Sequence, residues 1–187
     1  PATLFRITRR PSVTMTIVDV ASDGRFIVCA KAVPDGANWR YEYAIQNYNS
    51  HRSGASLSIP LPVGATASNI GFHDIDYHSG EIYSNTDWTG TSSASAVTWT
   101  SPQTFSQNQN TNALRFDTVY SFWFTSPSPP TSGTATLGLF RPGTPSQMLF
   151  TTVVPGDSSS PPTNNNCANA VTGACVRRWP APLSALA

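Results

Sequence analysis

The chain is predicted to be an all-β protein, an antiparallel two-sheet β-sandwich of Ig-like or jelly-roll-like type with about nine or ten strands. Three observations predict this fold class. Charged residues make up only 11% of the 187 residues, too few for the outer faces of long helices. Short runs rich in Val, Thr, Tyr, Phe and Trp recur along the chain, as is typical of pleated sheets. The turns between them can be supplied by 16 Pro and 12 Gly.

The strand-like runs follow one another at short spacing, and most are bounded by Pro, Gly, Asn or Asp. An Asp23-Gly24 turn between the first two runs indicates a hairpin. The third run is the clearest, because Trp39, Tyr41 and Tyr43 alternate with polar residues and therefore share one face. The predicted strands are 13–20, 25–33, 39–48, 55–59, 67–77, 97–100, 113–116, 119–125, 134–140 and 147–153.

Aromatic and aliphatic residues at alternating positions are predicted to form the core of the sandwich rather than a ligand platform. The stretches 84–96 and 101–112 are rich in Ser, Thr, Asn and Gln and are predicted to be surface loops. Cys29 lies in an apolar run and is predicted to be a buried thiol. The core candidates are Trp39, Tyr41, Tyr43, Phe72, Trp99, Phe122, Phe124, Leu137 and Leu139.

The sandwich domain is predicted to span residues 1–155. Residues 156–187 begin with a Gly-, Ser-, Pro- and Asn-rich stretch of linker composition. We expect this tail to be disordered, or to be the truncated start of another module. Cys167 and Cys175 in the tail either close a small loop or are two unpaired thiols.

The formal charge of +1 gives no electrostatic reason for a nucleic-acid or anionic-membrane partner. No apolar run approaches the ~20 residues of a membrane-spanning helix. A single lysine, Lys31, with abundant Ser, Thr and Asn is typical of secreted proteins. We therefore expect a secreted or cell-surface location.

The densest group of ionisable residues follows Gly71 and ends at a Ser-Gly turn. If the strand continues through this segment, Asp74, Asp76 and His78 share one face. Carboxylates favour Ca²⁺ or Mg²⁺, whereas imidazole favours Zn²⁺. The spacing is not that of an EF-hand loop, which would need Gly and Glu where Ser79 and Asn85 stand. The candidate metal ligands are Asp74, Asp76, His78, His73 and Asp87, with Glu81 or His51 as possible further ligands.

Three interpretations of this cluster stay open: a polar strand end bonded to its own loop, a structural cation site, or a catalytic metal or acid–base site. A second candidate is the pair Trp88 and Trp99, which either stack on a sugar ring or plug the end of the core. Nucleophilic catalysis has little support, because no Gly-x-Ser-x-Gly elbow is present.

A set of short motifs resembles uncharacterised secreted β-sandwich proteins of environmental, planctomycete-like bacteria, over roughly residues 13–155. The resemblance implies secretion and a sandwich fold, and it carries no activity or catalytic residues. The motifs are Trp39-x-Tyr41-x-Tyr43-x-Ile45-x-Asn47, Gly71-Phe72-His73-Asp74, Asp87-Trp88, Val97-x-Trp99, Ala113-Leu114-Arg115-Phe116, Phe122-x-Phe124 and Leu137-Gly138-Leu139-Phe140-Arg141-Pro142-Gly143.

Two functions compete. The first is a non-catalytic extracellular module for adhesion, carbohydrate binding or surface architecture, whose partner is a carbohydrate or small-molecule ligand. The second is a small metal-dependent hydrolase that acts on esters, lactones or glycans through the cluster from His73 to His78, with Ca²⁺ or Zn²⁺ as cofactor. The fold alone does not separate them, because sandwiches host both kinds of function. The oligomeric state is not encoded in any pattern that we find.

Overall fold

The computed structural model describes residues 13–76 and 81–157 of the chain. Within these residues there are ten strands and no helix. The strands are β1 (Thr14–Val20), β2 (Gly24–Asp35), β3 (Asn38–Asn47), β4 (Gly54–Pro60), β5 (Ser68–His73), β6 (Thr89–Ser92), β7 (Ala96–Thr100), β8 (Val119–Ser126), β9 (Pro130–Leu139) and β10 (Gln147–Pro155).

The strands form two five-stranded antiparallel sheets that pack face to face as a β-sandwich. The first sheet has the order β1-β2-β3-β8-β5, and the second has the order β10-β9-β4-β7-β6. The predicted fold class, a two-sheet antiparallel sandwich, is confirmed. No helix long and apolar enough to cross a membrane occurs among the described residues.

The first hairpin forms where the Asp-Gly pair predicts it. β1 pairs with β2 from Thr14 opposite Ala30 to Val20 opposite Gly24, and the amide of Asp23 donates to the carbonyl of Val20 at 3.0 Å. Ser22 in the turn has a φ of 60°, in the left-handed region that tight turns use.

The core lies between the sheets and is built from the alternating positions of each strand. In β3, Tyr41, Tyr43 and Ile45 are buried, so the predicted register of this strand is correct. The rings of Tyr41 and Phe124 stack across the neighbouring strands with centroids 5.0 Å apart. Of the predicted core residues, Trp39, Phe72 and Leu139 are partly buried against the core, and the other six are buried.

The two sheets also contact each other along both edges. On one side the hydroxyl of Thr16 in β1 donates to the carbonyl of Thr151 in β10 at 2.7 Å. On the other side the indole N–H of Trp99 in β7 donates to the carbonyl of Gly71 in β5 at 3.0 Å. These contacts fix the edge strands β1 and β5 relative to the second sheet.

Three local predictions are wrong. Residues 113–116 form no strand; Ala113 and Leu114 are both buried, and the segment makes one isolated bridge from Leu114 to Gly54. The stretch 84–96 contains strand β6, which pairs with β7 although its sequence is entirely polar and Gly. The predicted strand 67–77 ends earlier, at His73, after a register shift that includes Asn69 with a φ of 51°.

Cys29 also differs from the prediction. Its neighbours Val28 and Ala30 are buried, so strand alternation turns Cys29 to the outer face of the first sheet, where it is half-buried. Cys167 and Cys175, with most of the predicted tail, lie outside the described residues.

Candidate functional site

The predicted metal cluster begins where β5 ends, and there Asp74 contacts Asn112. Asn112 is fully buried, and its side-chain amide donates to the Asp74 carboxylate and to the carbonyl of Thr86 at 3.0 Å. The carbonyl of Asn112 accepts from the indole N–H of Trp88 at 2.9 Å, and its side-chain oxygen accepts from the Tyr120 hydroxyl. The network therefore binds the Asp74 carboxylate to the end of the core.

The pKa of Asp74 is raised, mainly because burial disfavours the charged carboxylate, and further because the carboxylate of Asp87 is near. The amide of Asn112 and the charge of His73 oppose this shift. Asp74, Asp87 and His73 are thus close enough to interact electrostatically.

The remaining predicted ligands are not gathered by a strand. Because β5 ends at His73, strand alternation does not place Asp74 and Asp76 on a common face. Asp76, His73 and Asp87 are exposed, and His78 lies outside the described residues. Among the residues that the structure describes, no three His, Cys, Asp or Glu side chains are grouped as a metal ion would require.

The two predicted sugar-stacking residues are both inside the protein. Trp88 is 3% exposed and Trp99 is fully buried. The ring of Trp88 stacks on Phe72 with centroids 5.7 Å apart, and Trp99 meets Phe122 edge to face at 5.4 Å. These contacts are those of core residues that close the end of the sandwich, and neither indole presents a face to solvent.

A different feature lies on the outer face of the first sheet, a groove of about 400 Å³ that we call the outer groove. Its floor follows one row of register partners across the sheet, and these have short side chains: Cys29, Ala44 and Ser121. The next row, Lys31, Glu42 and Trp123, forms one wall. Val13 stands at the β1 end of the groove, and exposed His73 on β5 pairs with the floor residue Ser121. The groove therefore crosses the strands.

The indole of Trp123 packs directly against its partner on β5, which is a glycine. Trp123 and Gly71 are opposite each other in register. A Cβ atom at position 71 would come within 2.1 Å of Trp123 Cε2 and 2.3 Å of Cζ2. The indole thus occupies the space of a missing side chain, and it remains partly exposed at the wall of the groove.

Three charged side chains accompany this indole. Lys31 Nζ lies 2.7 Å from Glu42 Oε2, and Arg40 Nε lies 2.7 Å from Glu42 Oε1. The guanidinium carbon of Arg40 is 5.5 Å from the centroid of Trp123, within cation–π distance. The pKa of Glu42 is lowered, chiefly by the hydrogen bond from Lys31 and also by that from Arg40. One carboxylate therefore holds two cations beside an aromatic ring.

The sequence does indicate that Trp123 points outward, although Trp88 and Trp99 are the ligand-binding residues predicted above. In Phe122-Trp123-Phe124, the two phenylalanines are core residues, so alternation must turn the tryptophan outward. The glycine opposite it cannot be recognised from the sequence, because the pairing of β5 with β8 joins distant parts of the chain.

Comparison with known proteins finds no matching family model, no similar curated protein and no similar solved structure.

Proposed function

We propose that this protein is a non-catalytic extracellular β-sandwich module that binds carbohydrate along the outer groove. The observation that supports this most is the indole of Trp123, which packs against Gly71 at the wall of an open groove. An indole whose position is fixed by the backbone, and which is partly exposed, offers an apolar surface against which the C–H face of a sugar ring can pack. The secreted or cell-surface location rests on the composition and on the resemblance described above.

The groove has further properties that suit an extended, hydroxyl-rich chain. It runs from Val13 at the β1 end across β2, β3 and β8, about 14 Å at ~4.8 Å between neighbouring strands. Its floor is a row of short side chains, so a ligand can approach the sheet closely. Ser121, Glu42 and Lys31 provide donors and acceptors along it. Adhesion or surface architecture would follow from binding a carbohydrate of the cell surface or matrix.

The test is binding to a panel of soluble and insoluble polysaccharides by affinity electrophoresis and pull-down. We expect at least one polysaccharide to bind, and Trp123→Ala to abolish this binding while the protein stays folded. Tyr48→Ala is the matched control, because Tyr48 is a 52% exposed aromatic residue outside the groove. Failure of the whole panel, or binding that survives Trp123→Ala, would contradict the proposal. So would a stable dimer in light scattering that Trp123→Ala dissociates, since a second copy would then cover the groove.

A second candidate is a small metal-dependent hydrolase, and one observation favours it. The carboxylates of Asp74 and Asp87 are close enough to interact, and the pKa of Asp74 is raised, as is common in acid–base sites. Metal analysis of the purified protein, followed by ester, lactone and glycan hydrolysis assays with and without chelator, tests it. Stoichiometric metal with chelator-sensitive turnover that Asp74→Asn abolishes would replace the binding module with this enzyme.

A further inference from the structure

The charges at the outer groove are unequal, and this bears on what the groove binds. Among the residues that the structure describes, Glu42 is the only acidic side chain that lines it, whereas Lys31 lines it and Arg40 adjoins it. Within the described part of the chain, the ammonium of Lys31 and the guanidinium of Arg40 each pair with Glu42 at 2.7 Å. An ammonium has three N–H donors and a guanidinium has five, so both cations keep donors for a ligand.

The charges nearest to Lys31 on β1 and β2 do not cancel this excess. Asp19 and Arg25 pair with each other at 2.8 Å near the first hairpin and are neutral as a pair. Asp35 lies four residues beyond Lys31 on β2, about 13 Å away at ~3.3 Å per residue. That separation exceeds the Debye length of about 8 Å at physiological ionic strength. The groove wall therefore carries a local positive charge, although the whole chain is nearly neutral with a formal charge of +1.

The positions of the two cations differ in a way that matters for a chain-like ligand. The guanidinium of Arg40 lies over the indole of Trp123, with its carbon 5.5 Å from the ring centroid, so it can contact an acidic group on a sugar ring next to Trp123. Lys31 lies two strands away from Trp123 across the sheet, about 10 Å at ~4.8 Å per strand. It would meet an acidic group on a sugar unit further along the groove.

We infer that the outer groove selects an anionic oligosaccharide, a chain whose repeating sugar units carry carboxylate or sulfate groups. The exposed part of Trp123 packs against one sugar ring, and Arg40 and Lys31 contact acidic groups on that ring and on a later one. Glu42 positions both cations and does not itself contact the acidic groups. This inference rests on the proposed function, because it requires that the groove bind a carbohydrate.

The experiment is isothermal titration calorimetry of the full chain with three hexasaccharides, namely hexagalacturonate, a sulfated carrageenan fragment and neutral cellohexaose. At low salt we expect an anionic hexasaccharide to bind about tenfold or more tightly than the neutral one, from two partly exposed charge contacts. The preference should shrink as salt is raised. The carboxylated and sulfated probes distinguish the two sources of charge.

Single-residue variants test whether the preference for an anionic ligand comes from the outer groove. Lys31→Gln should weaken binding of the anionic ligand about fivefold and that of the neutral ligand less, whereas Lys31→Arg retains binding of both. Arg25→Gln is the matched control, since Arg25 is on the same face but outside the groove. Neutral and anionic ligands of equal affinity, both lost in Trp123→Ala, would overturn the inference and leave the proposed function standing. An anionic preference unaffected by Lys31→Gln would also overturn it. No binding of any hexasaccharide would overturn both.

Discussion

At the scale of single residues, Asp74 decides between the two functions. Its carboxylate accepts from the buried amide of Asn112, so protein groups already hold it in place. We therefore expect equal melting temperatures in EDTA and in excess Ca²⁺ or Zn²⁺. A bound cation would instead stabilise the fold by about 2.7 kcal/mol at a hundredfold excess over its Kd. A melting temperature that rises with either ion, in the native protein but not in Asp74→Asn, would contradict this and favour the hydrolase.

The same carboxylate makes a prediction about stability. Because burial raises the pKa of Asp74, its charged form is disfavoured in the folded protein at neutral pH. Asp74→Asn removes that charge and keeps an oxygen that can accept from Asn112. We expect the variant to be more stable than the native protein in urea unfolding at pH 7. A less stable variant would show that the negative charge is needed, as it would be at a cation site.

Glu42 should stabilise the folded protein at neutral pH, whereas the charge of Asp74 destabilises it. The pKa of Glu42 is lowered from 4.5 in the folded protein, so its contribution to stability is present above that value. The contribution is lost as the pH falls below 4.5 and through the lowered folded value. The exposed fractions of the partners, 38% for Lys31 and 39% for Arg40, limit each pair to about 1 kcal/mol or less.

Glu42→Gln should therefore lower the free energy of unfolding at pH 7 and make no difference at pH 2. Urea denaturation over this pH range measures it, and Asp19→Asn serves as a control outside the groove. A difference between Glu42→Gln and the native protein that does not change with pH would mean that the ion pairs contribute nothing.

At the scale of the strands, β3 connects the two sheets through its tyrosines. Tyr43 is 2% exposed, and its hydroxyl donates to the carbonyl of Val153 in β10 at 2.8 Å. Tyr43→Ala should cost about 3–5 kcal/mol of folding free energy, as large aromatic deletions from cores do. Tyr43→Phe, which removes only the hydroxyl, should cost about 1 kcal/mol because a part-buried hydrogen bond is lost.

Tyr48→Ala is the control for this pair, because Tyr48 is exposed and the change should stay within about 0.5 kcal/mol. Chemical denaturation measures all three variants. A loss under about 1 kcal/mol for Tyr43→Ala would mean that this face of β3 does not lie in the core.

The contact between β5 and β8 makes a second prediction at this scale. Gly71→Ala would place a methyl group on the Trp123 ring, so the indole must leave its seat. We expect a loss of about 1–3 kcal/mol, the usual cost of overpacking, together with stronger quenching of tryptophan fluorescence by acrylamide. In a Trp123→Ala background the same change should have little effect, because the clash is gone. An equal loss of stability in both backgrounds would show that the cost of Gly71→Ala does not come from the clash with Trp123.

At the scale of the whole molecule, the sequence predicts the fold well because composition and alternation are local signals. The alternation in β3 and β8 gives the correct core faces, and the Asp23-Gly24 turn gives the first hairpin. The polar composition of Thr89–Ser92 predicts a loop, but these residues form β6. They are extended because they pair with β7, a contact that the local sequence does not reveal. The apolar residues at 113–116 predict a strand, but the segment is irregular. Ala113 and Leu114 are buried at the end of the core without belonging to a sheet.

The candidate site is much less predictable than the fold. The dense ionisable residues from His73 onward suggest a metal site on one strand face. However, β5 ends at His73, so strand alternation does not gather the residues that follow. Trp88 and Trp99 lie in polar stretches of the sequence, which suggests exposed ligand-binding rings. Both rings are buried at the end of the core. The outer groove depends on register partners from β2, β3, β8 and β5, which are separated along the chain and meet only after the sheet has formed.

The most direct test of the carbohydrate-binding proposal is a ¹⁵N NMR titration that follows the indole N–H resonances of the chain's five tryptophans. The ligand is whichever of the three hexasaccharides binds most tightly, and Trp123→Phe assigns the signal of Trp123. We predict that the Trp123 signal shifts saturably, whereas the signal of Trp88, whose N–H is bonded to Asn112 inside the protein, does not move. A Trp123 signal that stays in place, or a saturable shift confined to Trp88, would contradict the account.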